Sequence, residues 1–244
     1  MVNEPSATPG LDPHAAFDAL IRRYVRPGTV ALDAGAGRGE RYRYDYADLA
    51  AAVVGADVDP AVATNANLTE AVRADLAALP FADATFDLVF AKYVFEHLEH
   101  PGRTLRELRR VMRPGGHLVF HTPNRYHYVA LAARATPHRF HEWFNEQRGC
   151  DEADTFPTRY RANDRRSLRR ALPAAGFRIR NLEMIEPPAD YLFFHPWAHA
   201  AGEAYGRFLR RRPSLADLRC VIVGDAEAVG GPGTEVFARP SERT

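Results

Sequence analysis

Val30-Ala31-Leu32-Asp33-Ala34-Gly35-Ala36-Gly37-Arg38-Gly39-Glu40, residues 30–40, is the stretch from which the rest of the chain is read. Val30 to Asp33 reads as a buried strand. The glycines at 35, 37 and 39 then let the chain turn tightly under a ligand, because without a Cβ they adopt backbone angles closed to other residues. A strand that ends in such a turn, at the start of a helix, offers main-chain amides to a polar ligand. The pattern reads as a nucleotide cradle. Its G-x-G-x-G spacing, with Asp33 two positions ahead of the first glycine, separates it from the G-x-G-x-x-G of dinucleotide enzymes.

Outward from that turn, Ala15 to Val25 has apolar residues at helical spacing and is read as a helix covering the sheet or the cleft. Arg41 to Ala51 reads as a second helix carrying Tyr42, Tyr44 and Tyr46, whose partial burial on a surface helix is favoured over ligand contact. AVVGADVDP at 52–60 is the next buried strand. Asp57 lies about 20 residues beyond the glycine turn, where Rossmann-like folds place a carboxylate that accepts both ribose hydroxyls. Asp59 competes for that role, yet before Pro60 it reads equally as the cap of a following helix.

The 244 residues, 46% of them hydrophobic, suffice for one sizeable core, and a single domain over 1–244 is expected. A formal net charge of +1 gives no overall attraction to nucleic acid or an anionic membrane. Cys150 and Cys220 lie far apart and lack metal-ligand spacing, so reduced thiols of a cytosol are expected rather than a disulfide framework or zinc site. The opening MVNEPSATPGLDP has neither a basic nor an apolar signal region, and no later run is long and apolar enough to span a bilayer. These readings describe a soluble, cytoplasmic monomer or homodimer without stable membrane association.

Asp33-Ala34-Gly35-Ala36-Gly37-Arg38-Gly39 resembles motif I of the class I S-adenosylmethionine-dependent methyltransferases, and residues 70–124 match that family's pattern through several consecutive elements. The likeness is to the small-molecule branch, of the type found in ubiquinone and menaquinone biosynthesis. It implies a Rossmann-like three-layer α/β fold, a seven-stranded, mostly parallel sheet whose last strand is antiparallel, and S-adenosyl-L-methionine as cofactor. It also implies site residues: Asp33, Gly35, Gly37, Arg38 and Gly39 in the cradle, with Asp57 at the ribose and Val58 also among the cofactor-binding residues. Asp75 would meet the adenine amino group and the Leu76 amide a ring nitrogen, while Lys92 and Tyr93 would lie beside the methionine end. Asp75 reads alternatively as the cap of a turn.

A third strand ending at Asp75-Leu76, a fourth over Phe86 to Phe90, a helix over Pro101 to Met112 and a fifth strand over His117 to His121 are the expected succession. In Ala91-Lys92-Tyr93-Val94-Phe95-Glu96-His97-Leu98 the resemblance puts Tyr93 and His97 near the transferred methyl. An aromatic face favours a sulfonium, and His97 could deprotonate an acceptor or, with Glu96, orient the loop. The candidate bases, in descending order, are His97, His121, His138 and His141.

Residues 125–165, rich in aromatics, His and Arg, read as a cap insertion that builds the acceptor pocket. Within it, 136–145 and 154–163 resemble stretches of uncharacterised small-molecule methyltransferases met with sugar or natural-product pathways. No acidic or cysteine partner at fixed spacing supports a metal at His138 and His141. Arg139, Arg159 and Arg161 are candidates for an acidic group on the acceptor. A helix over Arg165 to Ala175 with a solvated arginine face, a strand over Phe177 to Ile185 and a last strand over Leu218 to Gly224 complete the expected chain.

The expected activity is methyl transfer to a small-molecule acceptor, a natural product, sugar or other secondary metabolite. A noncatalytic cofactor-binding module is the alternative. A nicotinamide oxidoreductase leaves Asp75-Leu76 unexplained. Nucleic-acid methylation lacks the Asn/Asp-Pro-Pro-Tyr/Phe sequence after the fourth strand, where Ala91-Lys92-Tyr93-Val94 stands.

Overall fold

The computed structural model describes residues 12–39, 44–135, 157–189 and 196–230. Helix α1 (Pro13–Tyr24) begins at Asp12, whose side chain accepts from the His14 amide, and buries Phe17 and Ile21. Strand β1 (Val30–Ala34) runs parallel to β2 (Ala52–Asp57) on one side and β4 (Phe86–Lys92) on the other. β3 (Glu70–Arg73) flanks β2, and β5 (Met112–Pro123) flanks β4. β6 (Phe177–Ile185) and β7 (Val221–Ala228) complete a seven-stranded sheet of order β3-β2-β1-β4-β5-β7-β6. β7 is antiparallel to both neighbours.

Both faces of the sheet are covered, which is why β1, β2 and β4 are continuous apolar runs rather than alternating ones. Ala31, Leu88 and Phe90 join Phe17 and Ile21 of α1 in one core, and Leu32, Val89 and Phe120 join Leu105 and Leu108 of α3 (Pro101–Val111) in the other. Helix α1 is fastened across the sheet by polar contacts as well. Tyr24 stacks on His117 at 3.7 Å and donates to Asp225 Oδ2 at 2.6 Å, while His117 Nδ1 lies 2.8 Å from Asp225 Oδ1.

Some boundaries differ from expectation. Of the second helix only Tyr46–Leu49, α2, is helical among the described residues, and Tyr46 belongs to the core, its hydroxyl donating to Asp18. Asp59 caps a 3-10 helix over Pro60–Thr64 by accepting from the Ala61 amide at 2.8 Å. β3 stops at Arg73, so Asp75 and Leu76 lie in the following turn. β5 starts at Met112, because Met112 already pairs with Phe86 before an irregularity in the register restores the ladder at Leu88 and His117. The last strand begins at Val221 rather than Leu218, since Pro213–Leu218 forms a 3-10 helix.

Helix α4 spans Tyr128–Ala135, α5 Arg165–Ala174 and α6 Pro196–Arg210. A reciprocal Asp164–Ser167 capping box starts α5, and Arg166, Arg169 and Arg170 are exposed on it, the solvated face that the charge run predicts. No helix among the described residues is long and apolar enough to cross a membrane.

Candidate active site

Between β1 and β4 the chain order of the sheet reverses, and in open α/β sheets ligands bind outside the carboxyl ends of the strands at that point. A cavity of about 660 Å³ opens there. Gly35, Gly37 and Gly39 form its floor with φ of 79°, 53° and 73°, the left-handed region that excludes most side-chain-bearing residues. The Gly35 amide donates to Ala56 O at 2.8 Å, tying the turn to β2. A Cβ on Gly35 would stand 2.4 Å from Val94 Cγ2, whereas one on Gly37 would meet nothing within 4 Å among the described residues. The first glycine is needed for packing and the second leaves space on the cleft side.

Two asparagines hold the turn in place. Asn65 Nδ2 donates to Ala36 O at 3.0 Å, and Asn67 Nδ2 donates to Gly39 O at 3.2 Å. Both line the cleft and neither is marked by a glycine or charge pattern. The signal available was an Asn-x-Asn pair in the loop after β2, which reads ordinarily as turn chemistry.

At the end of β2, Asp57 is only 9% exposed and accepts from the Gly37 amide through Oδ2 and the Asp59 amide through Oδ1, each at 2.9 Å. It lines the cleft with Val58. Asp59 is turned to its capping role and lies 3.9 Å from Arg38, so the two acidic residues do different jobs. Asp75 and Leu76 line the same cleft farther along; Asp75 Oδ1 also accepts from the Ala77 amide at 2.8 Å, so the turn-capping reading holds for that oxygen.

The inner end is built by β1, β4, β5 and α1. Desolvation, with the neighbouring Asp57 carboxylate second, pushes the Asp33 carboxyl up to about 7, against the pull of Lys92. Lys92 is brought down to about 7 by its own desolvation, with Asp12, Asp33 and Asp18 opposing. Its Nζ donates to the Tyr44 hydroxyl at 2.8 Å and lies 5.7 Å from the Phe17 ring centroid. Tyr44, partly buried as expected, also lines the cleft. Tyr93 follows with φ of 58°, an unusual angle for a residue with a large side chain, held by its amide's 2.9 Å bond to His121 O. Such angles recur at functional sites because the surrounding structure must impose them.

His97 lines the cleft, with Nδ1 3.3 Å from Pro157 O. A carbonyl can only accept, so Nδ1 carries the proton in this contact and Nε2 holds the basic lone pair. His121 is fully buried with its ring edge-on to Tyr93 at 4.6 Å between centroids, so it stands behind the cleft surface rather than on it. His138 and His141 lie outside the described residues, as do Arg139 and most of the cap insertion. Arg159 lines the cleft, and Arg161 donates to Glu99 O at 2.6 Å. Among the described residues no group of three or more His, Cys, Asp or Glu could hold a metal ion.

Glu96 is buried beneath the loop. Thr122 Oγ1 donates to its Oε2 at 3.0 Å, Asn163 Nδ2 donates to that same Oγ1 at 2.6 Å, and the Glu96 carbonyl accepts from the Arg159 and Tyr160 amides at 2.6 and 3.0 Å. The loop-orienting alternative therefore describes Glu96, which joins the segment after β4 to β5 and to 157–163. Desolvation pushes its carboxyl up to about 7, the Thr122 bond opposing. A folded-state pKa raised above the unfolded value means the folded form holds its proton longer, so stability is full below the unfolded pKa and falls as pH rises towards 7. Glu96→Gln removes that loss and keeps an acceptor for Thr122. Comparing urea unfolding at pH 5 and pH 8, the variant should gain on the wild type by up to about 3 kcal/mol between the two. A difference that does not change with pH would show Glu96 to be ionised throughout.

Residues 32–120, which contain the glycine turn, β2, β4 and most of β5, match a family described as a methyltransferase domain. A malonyl-[acyl-carrier protein] O-methyltransferase of Pseudescherichia vulneris is 36% identical over 122 residues, 48% of this chain and 45% of that protein. Over these residues the chain is similar to methyltransferase domains. The chain spans about half the length of the curated relatives it matches. Among solved structures, an S-adenosylmethionine-dependent methyltransferase of Mesorhizobium loti superposes with a TM-score of 0.54 at 20% identity, covering 88% of this chain and all of that one. The [4+2]-cyclase SpnF superposes with a TM-score of 0.56 at 20% identity, covering 88% of this chain and 81% of that one. Likeness at this level shows the shared fold, and the second case shows that the methyltransferase fold also carries other reactions.

Proposed function

We propose that the chain is an S-adenosylmethionine-dependent methyltransferase acting on a small-molecule acceptor such as a natural product, sugar or other secondary metabolite. One observation carries the reading: the residues that the motifs single out for the cofactor, from Asp33 through Asp57 and Asp75 to Tyr93, line a single continuous cleft. The donor set suits that ligand. Gly37 leaves room for close approach to the main chain, Asp57 presents acceptors where ribose hydroxyls would lie, and Asp33 offers a carboxyl near the end that would take a cationic amino group.

S-adenosylmethionine, when bound, supplies a methyl group already activated on a sulfonium. The chain's task is then chiefly alignment and exclusion of water. Tyr93 offers an aromatic face to positive charge, and Glu96 fixes the loop that carries it. His97, with its basic lone pair on Nε2, takes the proton from an acceptor that must lose one. His121, buried behind Tyr93, is a weaker candidate for direct contact. His138 and His141 remain candidates on the sequence alone. The cap insertion 125–165, which returns to the domain at Pro157 and Arg159 on the rim of the cleft, is assigned to the outer wall of the acceptor pocket.

Calorimetric titration with S-adenosylhomocysteine, with NAD as control, is the test. Micromolar binding of the first and none of the second is expected; no binding of either would favour a noncatalytic module. Once a panel of phenols, sugars and small acids yields an acceptor, His97→Ala should lower turnover by about 100-fold or more for a hydroxyl acceptor, with S-adenosylhomocysteine affinity nearly unchanged. Unchanged turnover would remove His97 from the chemistry.

A further inference from the structure

The inner end of the cleft concentrates nitrogen bases to a degree that cofactor binding does not call for. Lys92 and His121 sit side by side in the β4–β5 register. His14 of α1 stacks on His121 with centroids 5.1 Å apart and planes within 9°. Phe17 closes the cluster from the α1 side, its ring centroid 6.0 Å from that of His121 and 5.7 Å from Lys92 Nζ. Tyr44 and Tyr93 form the surface towards the cleft. His121 is fully buried, and neither of its ring nitrogens has a hydrogen-bond partner among the described residues, a costly arrangement in a native interior.

From this convergence we propose that the inner end of the cleft is the acceptor subsite and that it takes an acidic acceptor, one that presents an ionised oxygen as a carboxylate or an ionised phenol or enol to Lys92 and Tyr44. The inference rests on the methyltransferase reading above and specifies its substrate class. Three bases meeting in a desolvated pocket disfavour one another's charged forms, and an anion placed among them reverses that penalty. The tendency is visible in the groups themselves. Burial first and Lys92 second bring His14 down to about 4, with Asp12 opposing, and burial, His14 and Lys92 hold His121 well below its ordinary value.

The acidic groups that face the cluster are already engaged. Asp12 accepts from the His14 amide, and Asp18 accepts from Tyr46 and Arg22. Asp33 lies on the cofactor's side of Lys92 in the proposed arrangement. An anionic oxygen would find in Lys92 a cation and in Tyr44 a hydroxyl donor on one side of the cleft, with Tyr93 as an aromatic wall. Such an oxygen has no proton to lose on methylation, which fits a subsite where the buried histidines are neutral and behind the surface.

The test uses acidic probes and neutral counterparts of the same skeleton on protein first titrated with S-adenosylhomocysteine. Benzoate is set against benzamide, and 4-nitrophenol against 4-nitroanisole, so that carboxylate and phenolate are read separately. At least one acid should bind about 10-fold or more tightly than its neutral counterpart. Bound 4-nitrophenol, where it is the acid preferred, should show the phenolate absorption one unit below its own pKa. The preference should vanish in Lys92→Met and persist in Lys92→Arg, with cooperative thermal unfolding verifying both folds. Acids that bind no better than the neutral probes, acids that do not bind, or a preference that survives Lys92→Met would overturn the assignment. Failure of S-adenosylhomocysteine to bind in the first titration would instead bring down the cofactor reading and this inference with it.

Discussion

Asp57→Ala should weaken S-adenosylhomocysteine binding by more than tenfold, on the order of 2 kcal/mol or more, since hydrogen bonds to a charged group are each worth about 1.5–3 kcal/mol. The carboxylate has two structural partners before any ligand arrives, the amides of Gly37 and Asp59. Each oxygen retains a further lone pair, so the same group can accept ribose hydroxyls without releasing the turn. Alanine removes the acceptors for the ligand and also leaves the Gly37 amide without its 2.9 Å partner at the floor of the cleft. Asp57→Asn separates the two parts. Its amide keeps one acceptor and loses the charge, so its affinity should fall between wild type and alanine. Asp59→Ala is the control: it removes the cap on Pro60–Thr64 and the 3.9 Å contact to Arg38, and should change affinity far less. Equal affinity in wild type and Asp57→Ala by calorimetry would defeat the ribose assignment, and a larger loss in Asp59→Ala would move it to the neighbouring carboxylate.

What could be read in the sequence was local. The succession of β1, glycine turn and β2 followed from apolar runs punctuated by residues needing positive φ, and β6 fell at Phe177–Ile185 as read, because Gly176 with φ of 89° ends the helix before it. The sheet's single antiparallel member came from the resemblance, since nothing in an eight-residue strand states its direction. The cradle's supports were illegible for a different reason. Asn65 and Asn67 reach main-chain carbonyls 29 and 28 residues earlier in the chain, and a window around them contains only a polar loop. The inner end is more extreme: His14, Lys92 and His121 come from three distant elements and meet only because α1 is fastened across β5 and β7. Tyr44 is partly buried, as the sequence reading has it, yet its place on the wall of the cleft depends on Lys92, 48 residues away, and no local window shows that. Glu96 and His97 show the same limit in adjacent positions. One is buried as a strut and the other faces the cleft, a division that depends on which of them Thr122 and Asn163 can reach.

Gly35→Ala should both destabilise the fold and cost cofactor affinity, and Gly37→Ala should separate those effects. At Gly35, alanine incurs the left-handed penalty at φ of 79°, about 1–2 kcal/mol, and its Cβ arrives 2.4 Å from Val94 Cγ2. Val94 has little freedom to yield, because branching at Cβ stiffens χ1 and because its neighbour Tyr93 is already held at φ of 58° by the bond to His121 O. The collision is therefore passed to the segment that carries Tyr93 and His97, and a total loss of about 2–5 kcal/mol is expected, overpacking adding about 1–3 to the backbone cost. Gly37→Ala pays only the backbone penalty, its Cβ meeting nothing within 4 Å among the described residues, but it places a methyl group on the cleft side of the turn, where the proposed cofactor would approach the main chain. Urea unfolding should rank Gly35→Ala well below Gly37→Ala in stability, while calorimetry should find S-adenosylhomocysteine binding lowered more than tenfold in both. Equal stability losses would mean that Val94 gives way freely and that the segment after β4 is not braced by the glycine turn. Unchanged affinity in Gly37→Ala would mean that the ligand does not press against the main chain there, and the cradle would have to be assigned to the Gly39 end of the turn.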